Sequence, residues 1–235
     1  MTATYTIAGV RISVSAIHEG FDSYAVDYRT DGASPDFSVA TTQDDIDFER
    51  EKSTEGTFPD SYLEALAVFR KISERMPEYD TFLFHGSAIS ADGLGYVFAA
   101  PSGTGKSTHA ALWRNMLGTR AVMVNDDKPM IRAGTESAEI FGTPFSGKHN
   151  LGSNIHVPLR AVCVIRRGES NHIERISPDE AYPLILRQTY RPHDPAMLAK
   201  TLTLLDRLKH SVSFYRLACN MSPEAAKVSW EAMRP

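Results

Sequence analysis

Cysteine is scarce in this chain. Only Cys163 and Cys219 occur among 235 residues, each within an apolar stretch. Neither lies in a metal-type or redox-type spacing, so both read as buried free thiols in a reducing cytoplasm. Positive charge is not in excess either: 25 Lys and Arg stand against 29 Asp and Glu, for a net charge of −4. That balance supplies no electrostatic reason to hold DNA, RNA or anionic lipid. Long apolar runs are missing, since stretches such as Tyr96 to Ala100 and Ala121 to Val124 fall far short of the roughly 20 residues that cross a bilayer. The start, Met1 to Ile7, has neither a basic n-region nor an apolar h-region, so no signal peptide is expected. The expectation is a soluble cytoplasmic protein with neither nucleic acid nor membrane as partner. With 42% hydrophobic and 23% charged residues, the chain has the apolar content for a full core and too few charges for a disordered tail.

What is present falls into two regions, 1–58 and 59–235. The first reads as β-rich, because apolar residues alternate at Tyr5 and Ile7, at Val10, Ile12 and Val14, at Tyr24, Val26 and Tyr28, and at Phe37 and Val39. The charged stretch Asp44 to Lys52 reads as a solvated edge strand or loop. From Pro59 the period becomes helical, with Leu63, Leu66, Phe69, Ile72 and Met76 on one face until Pro77. Next come a strand from Thr81 to Ile89, a turn at Asp92-Gly93, a strand from Tyr96 to Ala100, a glycine loop, a helix over about 106 to 117, and a strand from Ala121 to Val124. Strands follow from Ala161 to Ile165, near Ile173 to Ile176, and from Ser213 to Leu217. Ser177-Pro178-Asp179-Glu180, Asp194-Pro195 and Ser222-Pro223 carry cap-then-proline helix starts. Alternating strands and helices define an α/β layer architecture.

The informative segment is Ala100-Pro101-Ser102-Gly103-Thr104-Gly105-Lys106-Ser107-Thr108. It fits the P-loop pattern except that Ala100 stands where the first glycine is usual. In that motif backbone N–H groups wrap a phosphate and the following helix directs its positive end at it. The lysine reaches the terminal phosphates and the hydroxyl holds magnesium. Pro101 to Thr108 are therefore candidate nucleotide-binding residues, with Lys106 the charge and Ser107 the metal hydroxyl. Gly103 and Gly105 let the loop approach the anion with no Cβ in the way. An apolar strand enters the loop and a helix-compatible stretch leaves it, which is the setting this mechanism needs. Ala121 to Val124 then runs into Asn125-Asp126-Asp127. Two carboxylates closing an apolar strand call for a cation, because a lone buried charge costs several kcal/mol. One of the pair, Asp126, is read as the proton acceptor for a hydroxyl and Asp127 as the metal ligand, with Asp126 also within reach of the metal. The alternative is an Asp pair at a turn before Lys128-Pro129.

Residues Ser102 to Thr108 followed closely by Asn125-Asp126-Asp127 resemble the kinase loops of ATP-dependent phosphoenolpyruvate carboxykinase and of HPr kinase/phosphorylase. His85-Gly86 is similar to the His-Gly of the HPr kinase catalytic domain, and Gly142 to Lys148 and Gln188-Thr189-Tyr190-Arg191-Pro192 are similar to motifs of an HPr-kinase-like bacterial branch that includes lasso peptide kinases. The resemblance spans roughly residues 80 to 233. It implies a P-loop kinase-type mixed sheet flanked by helices, use of ATP and Mg²⁺, and phosphoryl transfer to a hydroxyl of a peptide, protein or small molecule. A homo-oligomer is left open. The chain lacks the long stretches that hold oxaloacetate in the carboxykinase, and Thr108 stands where HPr kinase carries an acidic residue.

Three further residues join the candidate catalytic set. His85 is either a satisfied strand-end histidine or a contact to phosphate or to the base. Lys148 lies in a glycine-flanked loop, where a cation neutralises charge on the transferred group, and His149 beside it ranks lower. Arg191, one turn after Arg187, either clamps a triphosphate or an acidic substrate group, or complements a helix C-terminus. Asn150 and Asn154 read as turn residues, and Trp113 and Trp230 as packing. The competing classes are a nucleotide-binding regulatory module without transfer, carboxykinase-like lyase chemistry, and the transfer run in reverse.

Overall fold

The computed structural model describes residues 2–32, 34–53, 56–147 and 150–235. At the N-terminus, β1 (Thr2–Ile7) and β2 (Val10–Ser15) form an antiparallel hairpin closed at Ile7↔Val10. Its two-residue turn, Ala8-Gly9, has φ 48° and 72°, the positive dihedrals that match the twist of a tight hairpin. α1 (Gly20–Ala25) follows, then β3 (Phe37–Ala40), which pairs parallel to β2, then α2 (Gln43–Lys52) and α3 (Asp60–Arg75). The three strands make a small sheet of their own.

Two expectations for this region are corrected. Tyr24, Val26 and Tyr28 do not form a strand: they span the end of α1 and a 3₁₀ turn over Val26–Tyr28. The buried positions are Phe21, Ala25 and Tyr28, a helical stripe, while Val26 is 62% exposed. Three alternating residues were too few to tell one period from the other. Likewise Asp44 to Lys52 is helical, within α2. A capping box between Thr42 and Asp45 starts that helix, and its acids meet Arg70 and Lys71 of α3: Arg70 Nε lies 2.5 Å from Glu49 and Lys71 Nζ 2.6 Å from Asp45. Charge neutralisation from a neighbouring helix, invisible in a local window, holds this polar segment in place.

The larger sheet contains β4 (Thr81–Leu83), β5 (Ser87–Ala91), β6 (Leu94–Ala99), β7 (Ala121–Asn125), β8 (Met130–Ala133), β9 (Ala138–Phe141), β10 (His156–Arg167), β11 (His172–Ile176) and β12 (Ser213–Cys219). Its helices are α4 (Lys106–Leu117), α5 (Pro178–Gln188), α6 (Pro195–Ser211) and α7 (Pro223–Met233). Strand order is β4-β8-β9-β10-β6-β5-β7, with β12 on β10 and β11 on β12. The 12-residue β10 is where the sheet branches: His156–Pro158 pairs antiparallel to β9, and the rest pairs parallel to both β6 and β12. The result is a mixed α/β architecture with a curled sheet flanked by helices.

Alternation along β6 sends Tyr96 and Phe98 to one face and Val97 and Ala99 to the other. The first face packs on α4 and α7, where Trp113 meets Tyr96 and Trp230 at ring-centroid distances of 5.0 and 5.3 Å. The second packs on α5 and α6 through Ile185, Leu204, Leu205 and Leu208. A third core joins the small sheet and α3 to Leu83, Met130, Phe141 and Phe145.

The single strand expected over Thr81 to Ile89 is in fact two. β4 pairs with β8, whereas β5 pairs with β6 and β7. Phe84, His85 and Gly86 bridge them, their N–H groups donating to Pro129, Gln188 and Asp127 carbonyls. β8 and β9 were not expected, because two four-residue strands are too short to declare a period. Among the described residues no helix is long and apolar enough to cross a membrane.

Candidate functional site

The loop between β6 and α4 is built around two glycines, Gly103 at φ 74° and Gly105 at φ 121°. Side chains rarely adopt these angles. Gly105 is also the residue before α4, and among the described residues no side chain caps that helix and no acid sits in its first turn. The opening N–H groups of a helix have no partner within it. This end of the helix lines a cavity of about 360 Å³, with Ser102, Gly103, Gly105, Lys106, Ser107 and Thr108 on one side and His85, Asp126, Asp127 and Gly147 on the other. Thr104 faces a different cavity. Pro101 lines neither, and its carbonyl accepts from Thr104 N at 3.3 Å.

Lys106 is buried, at 8% exposure. Its Nζ donates to Ala100 O at 2.9 Å instead of pairing with either acid. Burial pulls the Lys106 ammonium below its usual range, and Asp127 and then Asp126 oppose the shift. Cationic and anionic walls thus stand apart across the cavity.

The acids are aimed by a residue to which the sequence reading gave no role. Asn125, fully buried at the end of β7, donates through Nδ2 to Thr143 O, Thr143 Oγ1 and Phe145 O at 3.0–3.1 Å. Its Oδ1 accepts the N–H groups of Asp127 at 2.9 Å and Lys128 at 2.7 Å. This side-chain turn forces the chain to bend as it leaves the strand. Asp126 is buried, and its Oδ1 accepts Ser87 Oγ at 2.7 Å. The Asp127 carboxylate lies 3.4 Å from His85 Nε2 and 3.7 Å from Lys128 Nζ.

His85 sits half-buried in the break between β4 and β5. With its amide nitrogen turned toward them, Gln188 donates to His85 Nδ1 at 3.1 Å and to Ala100 O at 3.2 Å. An accepting Nδ1 puts the ring proton on Nε2, toward Asp127. Burial and the Lys106 charge push the imidazole pKa down, with Asp127 pulling the other way. Gly147, at φ 76°, approaches so closely that a Cβ there would stand 3.1 Å from Asp127 Cβ.

The structure therefore brings together the glycine loop, Lys106, Ser107, Thr108, His85, Asp126 and Asp127. Arg191 is exposed and does not line this cavity. The residue of its motif that does reach the loop and His85 is Gln188. Lys148 and His149 lie outside the described residues. Asn150 accepts Ser146 Oγ at 2.9 Å, and Asn154 Nδ2 donates to Asp27 O at 2.7 Å. Among the described residues no three His, Cys, Asp or Glu side chains form a metal-binding group.

No family model matches the chain, and no curated protein matches it. Among solved structures it is similar to the Hpr(Ser) kinase/phosphatase from Coxiella burnetii, at 14% identity and a TM-score of 0.29. That likeness covers 54% of this chain and 97% of the other.

Proposed function

We propose that this chain is an ATP- and magnesium-dependent phosphotransferase that moves the γ-phosphoryl group to a hydroxyl of a peptide, protein or small molecule. The observation that carries the reading is the divided cavity. Uncapped helix amides and a buried lysine form one wall, two aspartates form the other, and Lys106 does not close the gap to them. A polyphosphate with a divalent cation satisfies both walls at once.

The donors suit magnesium, since Ser107, Asp126 and Asp127 offer only oxygen, the ligand this hard cation takes. A site with two acids and a hydroxyl leaves the remaining positions to phosphate oxygens and water, so it needs no third acid. Bound there, the cation would neutralise charge on the phosphates.

The loop amides and Lys106 hold the β and γ phosphates. A substrate hydroxyl attacks the γ phosphorus, its proton passing to Asp126, while the bond to the β–γ bridging oxygen breaks and ADP leaves with that electron pair. Ser87 fixes one oxygen of Asp126, so the other is presented to the hydroxyl. Asp127 and Ser107 would hold the metal, with Asp126 also within its reach, and His85, set by Gln188, orients Asp127. Lys148 is assigned to charge on the transferred group, and Arg191, outside the cavity, to an acidic group of the acceptor. The division into units 1–58 and 59–235 is part of the same proposal, with the separate three-stranded sheet in its support.

Incubation with γ-labelled ATP, magnesium and cell extract tests the reading. A labelled acceptor whose labelling disappears in Lys106→Ala is the expected result. ATP bound intact without transfer overturns it in favour of a regulatory module, and oxaloacetate-dependent release of carbon dioxide overturns it in favour of a lyase.

A further inference from the structure

A cavity of about 330 Å³ lies where α1 and its 3₁₀ turn meet the segment after β9. Tyr24, Asp27 and Tyr28 line one side, and Thr143, Ser146 and Asn150 the other. It is separate from the cavity that holds Lys106 and the acids, yet a single peptide bond joins their walls: Ser146 lines this one and Gly147 the other. The frame is also common to both. Thr143 and Phe145 carbonyls accept from Asn125 Nδ2, and the oxygen of that same amide takes the Asp127 N–H. Across the gap Tyr24 stacks on Phe145 at a ring-centroid distance of 5.4 Å, and Asn154 Nδ2 donates to Asp27 O at 2.7 Å. Both contacts fasten the Tyr24–Tyr28 side to the segment that carries Gly147.

The lining carries negative charge and no positive charge. Among the described residues no Lys, Arg or His borders the cavity, and the exposed Asp27 carboxylate has neither an ion pair nor a hydrogen bond. Asp22, earlier in the same segment, is by contrast taken up by Tyr5 Oη at 2.7 Å and Arg29 Nη1 at 3.5 Å. Aromatic rings stand beside the free acid. Tyr24 is 41% exposed with one ring face on Phe145, and Tyr28 lines the cavity next to Asp27. An aromatic face and a carboxylate both attract a cation, and together they complement the planar or ammonium head of a basic side chain. An anionic group meets no counter-charge here, and a neutral hydroxyl leaves the carboxylate unpaired.

We infer that this cavity binds a lysine or arginine side chain of a peptide acceptor, beside the cavity in which the acceptor's hydroxyl is phosphorylated. The inference rests on the phosphotransferase reading and narrows its acceptor to a peptide with a basic residue near the modified one. A hydroxyl at Asp126 and a cation at Asp27 belong to one ligand when its chain runs past Gly147, the residue between the two walls. An extended chain advances about 3.3 Å per residue, which puts the basic residue about two to four positions from the hydroxyl.

Degenerate peptides with a central serine or threonine, differing in whether Lys, Arg, Ala or Glu occupies each flanking position, test this with γ-labelled ATP and magnesium. The wild-type protein is expected to label the Lys or Arg peptides at least about threefold faster than the Glu peptides at one such position. Asp27→Asn is expected to remove that preference and Asp27→Lys to reverse it. The Asp27 side chain is exposed and has no partner to lose, so neither variant is expected to lower the melting temperature. Labelling that ignores charge, or a preference that persists in Asp27→Asn, overturns the basic subsite and leaves the phosphotransferase reading standing. Transfer to a small hydroxyl compound of a cell extract with no peptide labelled does the same. If neither peptides nor extract accept the label, both fall.

Discussion

Asn125 Oδ1 accepts the backbone N–H of Asp127 at 2.9 Å, and through that bond a buried amide at the end of a strand sets the direction of the acid two residues on. The same side chain ties this turn to the Thr143–Phe145 segment, so one buried amide joins the acid pair to the segment leading to Gly147.

Asn125→Ala strands several buried partners at once. A loss of about 2–4 kcal/mol in urea unfolding is expected, because each orphaned buried group costs roughly 1–3 kcal/mol. Asn125→Asp keeps the acceptor but turns a carboxylate oxygen toward three acceptors, and should be at least as destabilising. An Asn125→Ala protein of unchanged stability would remove this residue from the account of the site.

The two aspartates should separate in kinetics. Asp126→Asn is expected to leave ATP affinity within about twofold while turnover falls about 10²- to 10⁴-fold, the range of a lost general base. Asp127→Asn should instead raise the magnesium concentration needed for half-maximal rate. Full turnover in Asp126→Asn would transfer the base role elsewhere.

In the proposed function, Lys106 serves phosphate binding at the expense of stability. Burial penalises its charge more than the aspartates reward it, so Lys106→Met should unfold at a higher temperature than wild type, by the equivalent of about 1 kcal/mol. Adding ATP and magnesium should raise the melting temperature of wild type and not of the variant. A lower melting temperature for Lys106→Met without ligand would show that its bond to Ala100 O outweighs the burial.

His109 makes stability depend on pH. Burial lowers its pKa from 6.5 to about 4, so between those values the unfolded chain takes up a proton that the folded chain refuses. Stability should therefore be fully present above pH 6.5 and fall as pH drops toward 4, by up to about 3 kcal/mol. Urea unfolding across that window should show the slope, and His109→Gln should flatten it. An equal slope in the variant would assign it to other groups.

Much of this was legible in one dimension. The apolar run at 96–100, the glycines at 103 and 105, the lysine after them and the acids closing the next strand each carry a local cause: a period of two, a positive φ, a helix start, a charge where a strand ends. The helix stripe from Leu63 to Met76 and the cap-then-proline starts of α5, α6 and α7 were readable for the same reason, since a helix writes its pattern within a few residues.

What the sequence determined by itself is most of the strand and helix runs, and a glycine loop with a lysine after it and two acids at the end of the next strand. Tertiary structure decided the rest. It broke the stretch at 81–89 into two strands so that His85 stands at Asp127, and it made helices of 24–25 and 44–52 through burial and through Arg70 and Lys71 on another helix. It also chose Gln188 over Arg191 to reach the loop and gave Asn125 its grip on Phe145. Each of these depends on groups tens of residues apart in the chain. Such contacts leave no period to read, because packing and hydrogen-bond satisfaction are settled only when the distant partners meet.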